Sequence, residues 1–203
     1  MENNIITFLK DYSILYNKVK IIIIVSENFS DKMYIAPVNE LRNSLDHIAK
    51  AISDEKNAEY EINKAKEHLL RAGYDCWELL SIDFVKDITD RLNKYDAETI
   101  AAVFPQYYTD VKPELVNIRE QLINVRLSSE KYQFDIDTLL LKIEELQKIK
   151  SAVEKQVPLL ENYFKNRKRN WFKKEQAWNN LWGILIGFIS ATLISILIWL
   201  LTK

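Results

Sequence analysis

The sequence predicts an all-α protein: an up-and-down bundle of long helices, followed by a C-terminal transmembrane helix. Three observations predict it. Three glycines and four prolines punctuate 203 residues, too few for a sheet with many turns. Apolar residues recur at three- and four-residue spacing along most of the chain. The chain then closes on an apolar run, Leu181 to Leu201, with no charge and no proline. As a helix that run rises roughly 31 Å, enough to cross the hydrocarbon core of a bilayer.

A first helix is predicted from about Asn3 to Phe29, with Ile5, Phe8, Leu9, Tyr12, Leu15, Tyr16, Val19 and Ile23 as its buried stripe. The segment from Asn28 to Pro37 reads as a connection, because proline restricts the residue before it and suits a helix's first turn. The second helix covers Val38 to Ile52, with Val38, Leu41, Leu45, Ile48 and Ile52 as its expected buried face. A break is expected near Ser53-Asp54, where Asp54 can cap the next helix. The third helix runs from about Glu55 to Lys94, and Ala58, Ile62, Ala65, Leu69, Ala72, Cys76 and Leu79 form a heptad-like seam. Gly73 inside it costs about 1 kcal/mol relative to alanine, which a close helix contact would justify. Asp96 to Tyr108 reads as a turn with one short helix. Pro113 opens a fourth long helix with Leu115, Ile118, Leu122 and Val125 inward, and 128–133 is a link. The fifth starts near Asp135 and continues towards the membrane, its buried side marked by Leu139, Ile143, Leu146, Ile149, Val153, Val157, Leu160 and Phe164. Pro158 is expected to kink or end it.

Three domains are therefore expected: a cytoplasmic bundle over 1–157, a basic juxtamembrane stalk over 158–180 and a tail anchor over 181–201. The stalk carries Lys165, Arg167, Lys168, Arg169, Lys173 and Lys174 with no acid among them. By the positive-inside rule these side chains stay cytoplasmic and meet lipid headgroups, giving a single-pass inner-membrane protein. Within the run, Gly183, Gly187, Ala191 and Ser195 recur every four residues, a small-residue stripe that lets two helices approach closely. Homo-oligomers on a lipid bilayer are the expected partners.

The net charge is −1; subtracting the +6 of that stalk cluster leaves −7 elsewhere, unlike a general nucleic-acid binder. Cys76 is the only cysteine, so no intrachain disulfide forms. Met-Glu-Asn-Asn opens no secretory signal, and Ile21 to Val25 is too short for one. The pattern shows no metal-ligand set, phosphate loop or nucleophile arrangement. No metal and no cofactor is expected.

Imidazole chemistry must use His47 or His68, the two histidines of the chain. Arg42, Asn43 and His47 resemble the R-(N/D/H)-x3-H motif of the HEPN superfamily. That resemblance implies a helical bundle and, in many members, a metal-independent ribonuclease of bacterial toxin, abortive-infection or CRISPR systems. It implies His47 as general acid or base, Arg42 neutralising the scissile phosphate and Asn43 positioning it. On one helix Arg42 and His47 lie about 140° apart, so a neighbouring helix or a second subunit would have to complete a site. A second polar cluster, Glu67, His68 and Arg71, is expected to lie level with Arg42 in an antiparallel helix pair. In several members the motif sits later in the bundle, whereas here it is on the second helix. The motif, the small size and the span together are similar to membrane accessory proteins of RNA-targeting CRISPR systems. That similarity implies an oligomer that permeabilises or depolarises the membrane, with RNA or a defence-system protein as further partner. Two other readings stay open: a membrane-tethered HEPN ribonuclease, and a non-enzymatic coiled-coil tether.

Overall fold

The computed structural model describes the backbone of residues 2–54, 56–127 and 135–201, and the side chains of 6–54, 56–124 and 135–190. Among the described residues there are six α-helices and no strand: α1 (Glu2–Ser30), α2 (Ile35–Ser53), α3 (Ala58–Leu92), α4 (Ala97–Val103), α5 (Lys112–Leu127) and α6 (Ile136–Leu201). A short π-helical segment, Tyr107–Val111, leads into α5. The chain divides into two compact units, Met1–Val157 and Pro158–Lys203. The expected link at 128–133 lies outside the described residues.

In the first unit α3 is the central helix. Its seam is buried from Ala58 through Ile62, Ala65, Leu69 and Ala72 to Cys76, while Leu79 is half-buried. Small residues at alternate seam positions let neighbours come close. Helix α1 runs parallel to α3: Lys66 lies over the Phe8 ring near one end, and Phe29 meets Phe84 at the other with centroids 5.9 Å apart. Helix α2 runs antiparallel to α3. The start of α6 runs parallel to α1, tied by Lys18–Asp137 at 2.6 Å and by Lys150 donating to the Phe29 carbonyl at 2.7 Å. Helix α5 lies antiparallel to that start, and the Lys142 ammonium donates to the Gln121 amide oxygen between them.

Gly73 has the close contact that its place in a long helix requires. A Cβ there would sit 2.7 Å from Ile136 Cδ1, so the first turn of α6 packs where a side chain would stand. Between α3 and α4, Asp96 accepts from the Thr99 backbone N–H at 2.7 Å and caps α4. Asp54 accepts from the Lys56 N–H at 3.1 Å, while the residue flanking α3 is Asn57.

Three expectations need correction. Helix α2 starts at Ile35, and Pro37 lies in its first turn, where backbone N–H groups have no helical acceptor. Its inward face holds Pro37, Ser44 and Ala51, whereas Val38, Leu45 and Ile52 of the expected buried face are exposed. Two helix faces compete for α3, and the one able to form hydrogen bonds and ion pairs with α3 wins. Pro158 does not end α6, which is helical on both sides of it.

In the second unit every residue from Trp171 to Ser190 is exposed. Lys165 pairs with Glu161 at 2.6 Å, and the Lys168 ammonium lies 4.4 Å from the Phe164 ring centroid. Among the described residues no helix is long and apolar enough to cross a membrane. The run beginning at Leu181 continues as helix to Leu201, but the side chains from Ala191 onward, with Ala191 and Ser195 of the small-residue stripe, lie outside the described residues. Around Gly183 and Gly187 nothing lies within 4 Å of an added Cβ.

Candidate functional site

The two histidines meet. His47 on α2 and His68 on α3 stack with ring centroids 5.1 Å apart and planes 20° from parallel. Each is held by a carboxylate from the opposite helix: His47 Nδ1 donates to Glu61 Oε2 and His68 Nδ1 to Glu40 Oε2, both at 2.6 Å. The four side chains are 16–21% exposed.

The sequence explains this geometry. Glu40 precedes His47 by seven residues, and Glu61 precedes His68 by seven. Seven residues make two helical turns, so acid and imidazole share one face of each helix. Antiparallel pairing then brings each histidine level with the other helix's acid, and the pairs cross. At the centre sits Ser44, fully buried, donating to the Ala65 carbonyl at 2.8 Å. Because its single proton is used there, Tyr12 donates its hydroxyl proton to Ser44 Oγ, 2.9 Å away. Burial raises the Tyr12 pKa above the ordinary tyrosine value against the opposing effect of the Ser44 hydrogen bond, which keeps it a donor.

A carboxylate only accepts, so each pairing fixes the proton on Nδ1 and leaves Nε2 as the basic nitrogen of the neutral ring. Two imidazoles held that way each keep Nε2 as a proton acceptor. They form no metal centre: among the described residues no group of three or more His, Cys, Asp or Glu could hold an ion.

The residues singled out by the motif are not gathered here. Arg42 is exposed and, among the described residues, has no hydrogen bond to His47, and Asn43 is half-buried. Asp46, a candidate partner for Arg42 four residues on, pairs instead with Lys50 at 2.7 Å. In the second cluster Glu67 binds Lys64 at 3.0 Å and stands 4.0 Å from Arg71, while His68 turns to Glu40. The residues of this cluster missed by motif reading are Glu40 and Glu61. The signal for them is the repeated Glu-x6-His spacing.

Lone Cys76 is buried, and burial pushes its thiol up to about 12. It is no nucleophile at neutral pH. No family model, curated protein or solved structure matches this chain.

Proposed function

We propose that the chain is a membrane-anchored, oligomerising HEPN-like effector of bacterial antiviral defence, which perturbs or permeabilises the inner membrane. The observation that carries the membrane part is the surface of α6 after Asn180. Leu181, Trp182, Ile184, Leu185, Ile186, Phe188 and Ile189 are 49–73% exposed. Seven large apolar side chains in nine residues cover every side of a helix, and a helix apolar all round needs a protein core or a bilayer around it. The run extends without a charge to Leu201, and six basic residues precede it. Lipid on one side and anionic headgroups on the other match that order. The defence role rests on the resemblance of Arg42, Asn43 and His47 to the HEPN motif. Here His47 serves the α2–α3 contact, so the non-enzymatic effector is favoured over a nuclease.

The test is dye uptake in bacteria expressing the wild type, His47→Ala, or the chain truncated after Lys174. Depolarisation that needs the tail supports the proposal. Cells that keep their potential while liposomes with reconstituted protein stay sealed would sink it.

One observation favours the ribonuclease as a second reading: two carboxylate-held imidazoles in contact, with Nε2 of each as the basic nitrogen. Toxicity without depolarisation, kept on truncation and lost in His47→Ala and His68→Ala, would establish that reading instead.

A further inference from the structure

Helix α2 carries two stripes. The one against α3 is polar or small and includes Glu40, Ser44, His47 and Ala51. The other is shifted by one residue, about 100° around the helix. It comprises Val38, Leu41, Leu45, Ile48 and Ile52, whose alternating spacing of three and four is that of a coiled-coil seam. Leu41 and Ile48 are half-buried, and Ile48 packs against Ala51, Ala58 and Ile62. Val38 is 40%, Leu45 58% and Ile52 68% exposed. Among the described residues, the outward members of this apolar stripe, Val38, Leu45 and Ile52, are therefore left exposed by the bundle's own packing.

We propose that this seam is the contact with a second copy of the chain, packed through α2 in antiparallel fashion about a two-fold axis near Leu45. Size is the first argument. With Ile35, 68% exposed at the end of the stripe, these side chains offer on the order of 400 Å² of apolar surface, the core of an interface covering about 800 Å² per partner. Charge is the second. Arg42 and Asp46 flank the outer edge of the seam one turn apart. Both are exposed, and Arg42 has no ion pair among the described residues. Asp46 pairs with Lys50 of its own helix at 2.7 Å and would be shared with the Arg42 of a second copy. An axis near Leu45 lays Val38 against Ile52 of the second copy and Arg42 within reach of its Asp46, so the edge becomes self-complementary. A parallel pair would bring Arg42 towards Pro37 and Ser44 of the second copy, neither of which carries a charge. The contact does not depend on the membrane reading, because none of its residues lies beyond α2.

The experiment uses the full chain in detergent, with protein mass read by light scattering. The wild type is expected to be at least dimeric. Leu45→Glu with Ile52→Glu, both at exposed positions, should lower the mass to a smaller assembly while helical circular dichroism stays unchanged. Gly183→Ile with Gly187→Ile isolates any association through the tail. If the tail substitutions reduce the mass and the seam substitutions leave it alone, the proposal is overturned. Mild oxidation fixes the geometry. On a Cys76→Ser background, Leu45→Cys should cross-link to its own counterpart, since a disulfide needs Cα atoms within about 7 Å. Ile52→Cys should cross-link only when mixed with Val38→Cys. Efficient cross-linking of Ile52→Cys with itself would refute the antiparallel arrangement.

Discussion

His47 shows what one side chain does in this bundle. Replacing it by alanine leaves the half-buried Glu61 carboxylate without its donor, and His68→Ala does the same to Glu40. A loss of about 1–3 kcal/mol of unfolding free energy is expected for each substitution, measured by denaturant titration. Because the rings touch, the double variant should depart from the sum of the singles by more than about 0.5 kcal/mol. Strict additivity would show that the stack contributes nothing. Tyr34 gives a prediction with a pH axis. Burial, reinforced by the neighbouring Asp83 carboxylate, pushes its hydroxyl up to about 12. It donates to Asp83 at 2.9 Å, and Lys32 reaches the same carboxylate oxygen at 2.9 Å. A tyrosine raised in the folded state contributes stability that is whole below its unfolded value near 10 and is lost as pH rises towards about 12. Asp83 runs the other way. Although burial pulls it upward, the hydrogen bonds from Lys32 and Tyr34 bring it below the usual carboxylate range, so its contribution is present above about pH 4 and lost on further acidification. Tyr34→Phe should therefore flatten the alkaline limb of a stability-against-pH curve. An unchanged limb between pH 10 and 12 would contradict the burial.

At the scale of elements, the helices are largely legible in the sequence and one face is not. The α3 seam can be read because alanine and β-branched or long apolar residues recur there without a competing pattern. The close approach at Gly73 can be read because glycine in a good helix needs a reason. Helix α2 misleads because it holds two stripes of similar regularity. The apolar one dominates any periodicity count, whereas the polar one takes its meaning only from Glu61, Ala65 and His68 on another helix. Register between helices is not written in either alone. The site has the same character: Arg42 and His47 stand out as a motif, but the partner of His47 comes from α3. Gly73→Ala tests the α3–α6 contact. The overlap is with the Cδ1 tip of Ile136, which is 3% exposed and so has little room to rotate away. Overpacking there, typically about 1–3 kcal/mol, should outweigh the gain in helix propensity of about 1 kcal/mol. A net loss on the order of 1 kcal/mol is expected by thermal unfolding. A stabilised variant would show that Ile136 moves aside freely.

For the whole molecule, the asymmetry of charge is the organising fact. The chain is nearly neutral, yet six positive charges are gathered between Lys165 and Lys174, six residues before the apolar run. In the proposed membrane-anchored state that distribution fixes an orientation, because cationic flanks are retained on the cytoplasmic side of a span. Two single-cysteine chains on a Cys76→Ser background read it out. Thr202→Cys, beyond the run, should react with a membrane-impermeant maleimide in spheroplasts. Asn166→Cys, within the basic stretch, should react only after the membrane is opened. Cys76 itself is buried with its thiol held up to about 12, so even the unsubstituted chain should give little background until it is unfolded. Replacing the six basic residues by glutamine should scramble the pattern, with both sites partly labelled. Equal labelling of both cysteines in the unaltered basic background would mean that the run lies along a surface rather than across it. The membrane-perturbing reading would then have to work from one leaflet alone.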